Sequence, residues 1–169
     1  MASTTAASSD FNPAIAAWNG TLGLPEFGRI ADGDFAAAFD VALPAHLAEI
    51  EAIATNPDAP TFENTIIPLE LVGDLLDRAS GIFWNLSGAN TNDVLQELER
   101  KLSPEMSRHY SAVMMNAALF ARVDALYQDR ANLDLDGEAA RVLELSWKSF
   151  VRSGAKLDAA DQARLAAIN

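Results

Sequence analysis

The sequence predicts an all-α fold: an antiparallel multi-helix bundle of about six helices behind an extended N-terminal lead-in. Three observations lead there. Half of the 169 residues are hydrophobic, which suits a packed core and not a disordered chain. Alanine is very frequent, and alanine forms helices best because it loses no side-chain entropy when the backbone orders. β-branched residues are scattered and never alternate over a strand-length run, whereas apolar residues recur at helical spacing. A chain of this length buries roughly 68–70% of the surface it exposes when unfolded. Residues 12–169 therefore read as a single helical domain with a real core. Residues 1–11 read as a flexible tail: Met1-Ala2-Ser3-Thr4-Thr5-Ala6-Ala7-Ser8-Ser9 has neither the basic nor the apolar region of a secretory signal. No internal repeat is visible.

The elements follow in order. Leu22-Gly23-Leu24-Pro25-Glu26-Phe27-Gly28-Arg29-Ile30 forms the lead-in, because Pro25 biases Leu24 away from the α region and the glycines loosen both sides. A first helix is expected over about 34–55, with Leu43, Leu47, Ile50 and Ala54 on one side and Pro44 kinking or splitting it. Asn56-Pro57-Asp58-Ala59-Pro60 stops it. The second helix opens with Thr61 as N-cap and Glu63 in the first turn, where the helix dipole favours negative charge. Leu69, Val72, Leu76, Ala79, Phe83 and Leu86 then follow a 3-4-3-4-3 spacing, a bundle-type seam. Pro68 implies a bend near its second turn, and the helix is expected to end around Ser87-Gly88.

Thr91 or Asn92 caps a third helix whose apolar side is Val94, Leu95, Leu98 and Leu102. Ser103-Pro104, an N-cap followed by proline at the first helical position, starts a new helix or a kinked continuation towards Met115. Residues 116–131 make another helix, with Leu119, Phe120, Val123 and Leu126. Asp136 caps the next, in which Leu143, Trp147, Phe150 and Gly154 share one side. Asp158 and Asp161 open a last helix that reaches Asn169 after barely three turns, an abrupt stop expected of a segment cut from a longer chain.

Charge and composition narrow the function classes. There are 24 acidic and 12 basic residues, a net charge of −12; nucleic acid is an unsuitable partner, because phosphate binding needs a Lys/Arg patch. From 26 to 77 there are eleven Asp/Glu against one basic residue, Arg29. That stretch is read as a solvated face, and alternatively as an acidic wall that steers cationic peptides. The absence of cysteine excludes disulfides and thiolate metal sites and fits a cytoplasmic protein. No apolar run approaches the ~20 residues needed to span a bilayer, so no membrane partner is expected.

Few residues suggest chemistry. His46 and His109 are the only histidines, on different expected helices, and neither lies in H-E-x-x-H, the helical spacing that presents two imidazoles to zinc. With Glu49 three residues from His46 and Glu105 four from His109, a metal site of His46, Glu49, His109 and Glu105 is conceivable. The plainer reading is that both rings face solvent or are hydrogen-bonded. No G-x-S-x-G, G-x-x-x-x-G-K-[ST] or G-x-G-x-x-G occurs. Trp18, Trp84 and Trp147 are read as core or interface packing rather than a ligand groove, and Met114-Met115 as gap-filling in the core. No catalytic, cofactor-binding or metal-ligating residue is assigned.

Three stretches resemble the N-terminal half of thimet oligopeptidase-like zinc metallopeptidases: Leu24-Pro25-Glu26-Phe27 with Ile30; Pro60-Thr61-Phe62-Glu63-Asn64-Thr65-Ile66-Ile67-Pro68-Leu69-Glu70 with Leu71 and Gly73; and Ala89-Asn90-Thr91-Asn92-Asp93 with Leu95, leading to Leu102-Ser103-Pro104-Glu105. Two more, Leu119-Phe120-Ala121-Arg122-Val123-Asp124-Ala125-Leu126 and Phe150-Val151-Arg152-Ser153-Gly154-Ala155-Lys156-Leu157, are similar to the bacterial peptidyl-dipeptidase branch of that family. The resemblance runs from about Asn12 to Asn169. It implies a much longer helical enzyme that removes C-terminal dipeptides from oligopeptides, or cuts short peptides internally in sister branches. It implies zinc held by H-E-x-x-H and a further Glu, with the motif's own Glu activating water. The N-terminal half would form one wall of a deep channel. None of the zinc or catalytic positions has a counterpart here, so the resemblance implies a non-catalytic domain with no cofactor of its own. Its partners would be the catalytic half of the same polypeptide and oligopeptide substrates. An isolated domain of this kind is expected to expose an apolar patch and to self-associate. The competing readings are a free-standing helical interaction module, with the 69–86 seam serving a partner protein, and a self-contained helical enzyme with an unrecognised site.

Overall fold

Helix α1 (Asp34–Ala54) is the spine on which the other elements are laid. The computed structural model describes residues 12–168; the expected tail at 1–11 and the last residue, Asn169, lie outside the described residues. After α1 come a wide π-type turn (Phe62–Ile66), the single-turn helix α2 (Ile67–Leu71), α3 (Asp74–Ala89), α4 (Asp93–Met114), α5 (Ala117–Gln128), α6 (Gly137–Arg152) and α7 (Ala159–Ile168). Among the described residues there is no strand. The all-α bundle is therefore what the molecule adopts.

Apolar periodicity builds two cores along α1. Its first half places Phe35, Ala38, Phe39, Ala42 and Leu43 against Leu76, Ala79, Ile82 and Phe83 of α3 and Leu95, Leu102 and Met106 of α4. Phe83 is fully buried and meets Phe35, Phe39 and Trp84 edge-on, with ring centroids 5.3, 5.7 and 4.8 Å away. The second half of α1 places Ile50, Ile53 and Ala54 against Ile66, Val113, Leu119, Phe120, Val123, Leu126, Leu143 and Phe150. Leu47, expected on the buried side, is 40% exposed.

The caps sit where local chemistry puts them. The side chains of Asn92, Asn116 and Asp136 accept from the backbone N–H three residues on, at 3.0, 2.9 and 2.8 Å. Asp158 accepts from Ala160 and Asp161. Of the two residues proposed to cap α4, it is Asn92 that does so, and its amide also donates to Asp32 at 2.7 Å, tying the lead-in to this helix. Asn12 anchors the other end of the lead-in through its amide to the Asp34 carbonyl, at 2.8 Å.

The two prolines resolve alternatives left open by the sequence: Pro44 does not split α1, and α4 continues through Pro104 instead of restarting. Both prolines are exposed, so the carbonyls that lose a partner face water, and Ser103 turns its hydroxyl to the Glu99 carbonyl at 2.8 Å instead of capping a new helix. The second helix is not one helix. It breaks at Val72, which is extended, and Gly73, which is left-handed with φ 93°, so the 69–86 seam divides. Leu69 and Val72 pack on the second core, while Leu76, Ala79 and Phe83 belong to the first. Gly154 is not a member of the α6 face but its stop. With φ 94° it lets its own N–H reach the Val151 carbonyl and the Ala155 N–H reach the Phe150 carbonyl, a Schellman ending.

Candidate functional site

The two histidines meet where the two cores meet. His46 falls between Leu43 and Ile50 on α1, and His109 between Met106 and Val113 on α4; each is therefore a polar interruption in a buried helical stripe. His46 Nδ1 and His109 Nε2 lie 2.7 Å apart. A contact of this kind needs one nitrogen to donate and the other to accept. Burial lowers the pKa of His46, and the carboxylates of Glu49 and Asp77 oppose that shift only in part. Burial also lowers the pKa of His109, and His46 lowers it further. Both rings are thereby held neutral near pH 7.

The break at Gly73 completes the arrangement. The Gly73 N–H donates to Glu49 Oε2 at 2.8 Å, so the carboxylate one turn from His46 secures the end of α2. A Cβ on Gly73 would sit 3.3 Å from Cδ2 and 3.4 Å from Nε2 of His46. The glycine is thus required both by its backbone angle and by the ring packed on it.

Above this pair opens a groove of about 490 Å³ between the α2–α3 junction, α4 and α6. Its floor is apolar, with Ile50, Leu76, Val113 and Phe150; its rim carries Glu70, Asp77, Tyr110, Leu145 and Ser146. No Lys or Arg lines it. The Tyr110 phenol is pushed up by burial and by the Asp77 charge, so it stays protonated as a donor. A shallower hollow of about 310 Å³, lined by Phe62, Ile66, Ile67, Leu71 and Ala139 with Asp136 and Glu138 beside them, shares Glu70 and Val142 with the groove, and the two adjoin as one trough. Leu71 is 73% exposed and Leu145 49% exposed along it.

The conceivable metal set comes together only in part. The two rings bond each other, Glu49 turns to Gly73, and Glu105 is exposed on α4. Among the described residues no group of three or more His, Cys, Asp or Glu is placed to share a metal ion. The three tryptophans also stay apart. Trp84 packs on Phe83. Trp18 lies against Gly81. Trp147 stacks on Tyr127 at 4.0 Å and donates to Asp124 at 2.6 Å. Arg130 and Lys156 close the two ends of that stack, 4.2 Å from the Tyr127 ring and 4.8 Å from the Trp147 ring. Met114, read as core filling, is partly buried and lines the groove wall.

Residue-by-residue reading of the sequence missed Arg122. It is buried, with Nη1 donating to the carbonyls of Asn56 and Asp58 at 2.9 Å each and Nη2 donating to Asn64 Oδ1 at 2.8 Å. Asn64 Oδ1 also accepts from the Thr61 N–H, and its amide donates to the Ala59 carbonyl. Thr61 Oγ1 in turn accepts from the Asn64 N–H, a reciprocal capping box. The 60–70 and 119–126 stretches that carried the resemblance are therefore two halves of one structural lock on the loop after α1.

No family model matches the chain. Over 145 residues, 86% of its length, the chain is 43% identical to the dipeptidyl carboxypeptidase of Escherichia coli (strain K12). It is 42% identical over the same length to the dipeptidyl carboxypeptidase of Salmonella typhimurium (strain LT2). In both cases it spans 21% of the relative, about a fifth.

Proposed function

We propose, from the kinship of this chain to dipeptidyl carboxypeptidases, that it is the N-terminal helical part of a longer cytoplasmic zinc metallopeptidase that removes dipeptides from the C-terminal end of oligopeptides. The observation that carries this reading is the identity of 43% sustained over 86% of the chain while only 21% of the relative is spanned. In this reading the bundle is one wall of a peptide channel and has no catalytic activity of its own. The histidines and carboxylates of this chain do not fit the implied zinc. Its two imidazoles are engaged with each other at 2.7 Å, and the neighbouring Glu49 is held by a backbone N–H. The zinc ligands are therefore assigned to polypeptide outside these residues. The exposed trough supports the same reading, since apolar surface of this kind marks a surface made to be covered.

The test is the intact mass of the native protein, with metal analysis and hydrolysis of an N-blocked tetrapeptide on the same sample. A mass several times 18.1 kDa with zinc and dipeptide release is expected. A native mass near 18.1 kDa without metal or activity would leave the second reading, a free-standing helical interaction module that uses the exposed trough.

A further inference from the structure

We infer that the trough between the α2–α3 junction and α6 is the seat of an amphipathic, positively charged helix contributed by the remainder of the longer polypeptide. The inference rests on the reading above and goes further by naming the surface and the chemistry of what covers it. Three features select the occupant. The first is the floor. Ile50, Leu76, Val113 and Phe150 present apolar side chains to a visitor, and the Gly73 N–H at the break is already bonded to Glu49. An extended segment laid there would leave its own backbone groups unpaired, whereas a helix satisfies them internally and presents only side chains. The walls are themselves helices, α4 and α6, so a third helix can set a ridge of apolar side chains between them.

The second feature is charge. Glu70 and Asp77 stand on the rim, both exposed, and no cation lines the groove. From 26 to 77 the chain carries eleven carboxylates against Arg29 as its one Lys or Arg. An acidic cover would be repelled there, and a cover flanked by Lys or Arg would neutralise the rim as it docked. The third is supply. The chain spans only 21% of each relative, so a protein of their length has ample polypeptide from which to provide such a helix.

The experiment places a thiol at Leu145→Cys, at the half-exposed edge of the groove in a chain without cysteine. Labelling at position 145 is followed by peptide mass spectrometry in the isolated chain and in the complete native protein. Labelling is expected to be about tenfold or more slower in the complete protein. The double reversal Glu70→Lys with Asp77→Lys is expected to return it to the rate of the isolated chain. A distant reversal of equal charge, Asp40→Lys with Glu97→Lys, both exposed and away from the groove lining, is expected to leave the protection in place. Should the reversed protein misfold, as judged by circular dichroism, Glu70→Gln with Asp77→Asn replaces it, with a smaller loss of protection expected.

Equal labelling in the two proteins would overturn the docking site. Protection that ignores the rim charges would overturn the cationic helix. Protection of the complete protein that vanishes on dilution would assign the trough to a second copy and overturn the inference as well. The underlying reading fails differently, through a native mass near 18.1 kDa, so the two failures are distinguishable.

Discussion

His46 and His109 show how a residue can be buried, polar and still informative. In the unfolded chain each ring titrates near its ordinary value of 6.5. In the fold both pKa values are lowered, chiefly by burial, with Glu49 and Asp77 pulling His46 partly back and Tyr110 packed on His109. Below 6.5 the unfolded state therefore takes up protons before the folded state does. Stability contributed by the neutral pair is complete above that pH and is lost as pH falls towards the folded values. Urea midpoints are expected to be flat above pH 7 and to decline as pH falls below 6.5. The double variant His46→Leu with His109→Leu is expected to lack that decline; an unchanged slope would show that the pair does not cause it. At the same scale, Phe83→Ala should cost about 3–5 kcal/mol, because the ring is fully buried among three aromatic neighbours. A loss below about 1 kcal/mol in chemical denaturation, typical of exposed sites, would contradict that packing. Neither the histidine contact nor the role of Arg122 was legible from residue type. The partners lie 63 residues apart in one case and 58 to 66 in the other, and no local pattern connects them.

At the scale of elements, what was legible was what is local. Asn92, Asn116, Asp136 and Asp158 cap their helices through bonds spanning two or three residues, and such bonds can be read from a window of the sequence. The break at Val72 and Gly73 could not be read that way. Apolar spacing runs straight through it, and what holds it open is Glu49 and His46, residues of another helix. Pro44 and Pro104 left two outcomes open, and the unbroken helix is the one adopted, since an exposed proline costs a helix one bond that water can replace. Gly73→Ala is accordingly expected to destabilise the fold by about 1–2 kcal/mol from the left-handed backbone alone. It should also displace His46, visible as changed imidazole resonances in NMR; an unshifted imidazole pair would show that the ring does not rest on this glycine. The loop after α1 makes a parallel case. Arg122→Lys keeps the charge but loses the planar fork that reaches two carbonyls and Asn64 at once. A loss of about 2–3 kcal/mol is expected, together with faster proteolysis within 56–64. A thermal scan and limited digestion check both.

The whole molecule is two apolar cores threaded on α1, joined at a polar pair, with an apolar trough open above that junction. Leu71 and Leu145 stand in water beside a groove of about 490 Å³, apolar surface that a cover would remove from water. The fold class was legible because it depends on composition and period, which every stretch of the chain repeats. The trough was not, because it forms from α1, α2, α3, α4 and α6 together, and its lining residues come from helices whose packing no single period specifies. If the trough is surface made to be covered, the isolated chain should bear the consequence. It is expected to self-associate in sedimentation as its concentration rises and to bind a hydrophobic dye. Leu71→Lys with Leu145→Lys is expected to abolish both while changing folding stability by less than about 0.5 kcal/mol, as exposed substitutions do. If those variants unfold the chain instead, the two leucines belong to its core. If they leave association intact, the sticky surface lies elsewhere on the molecule.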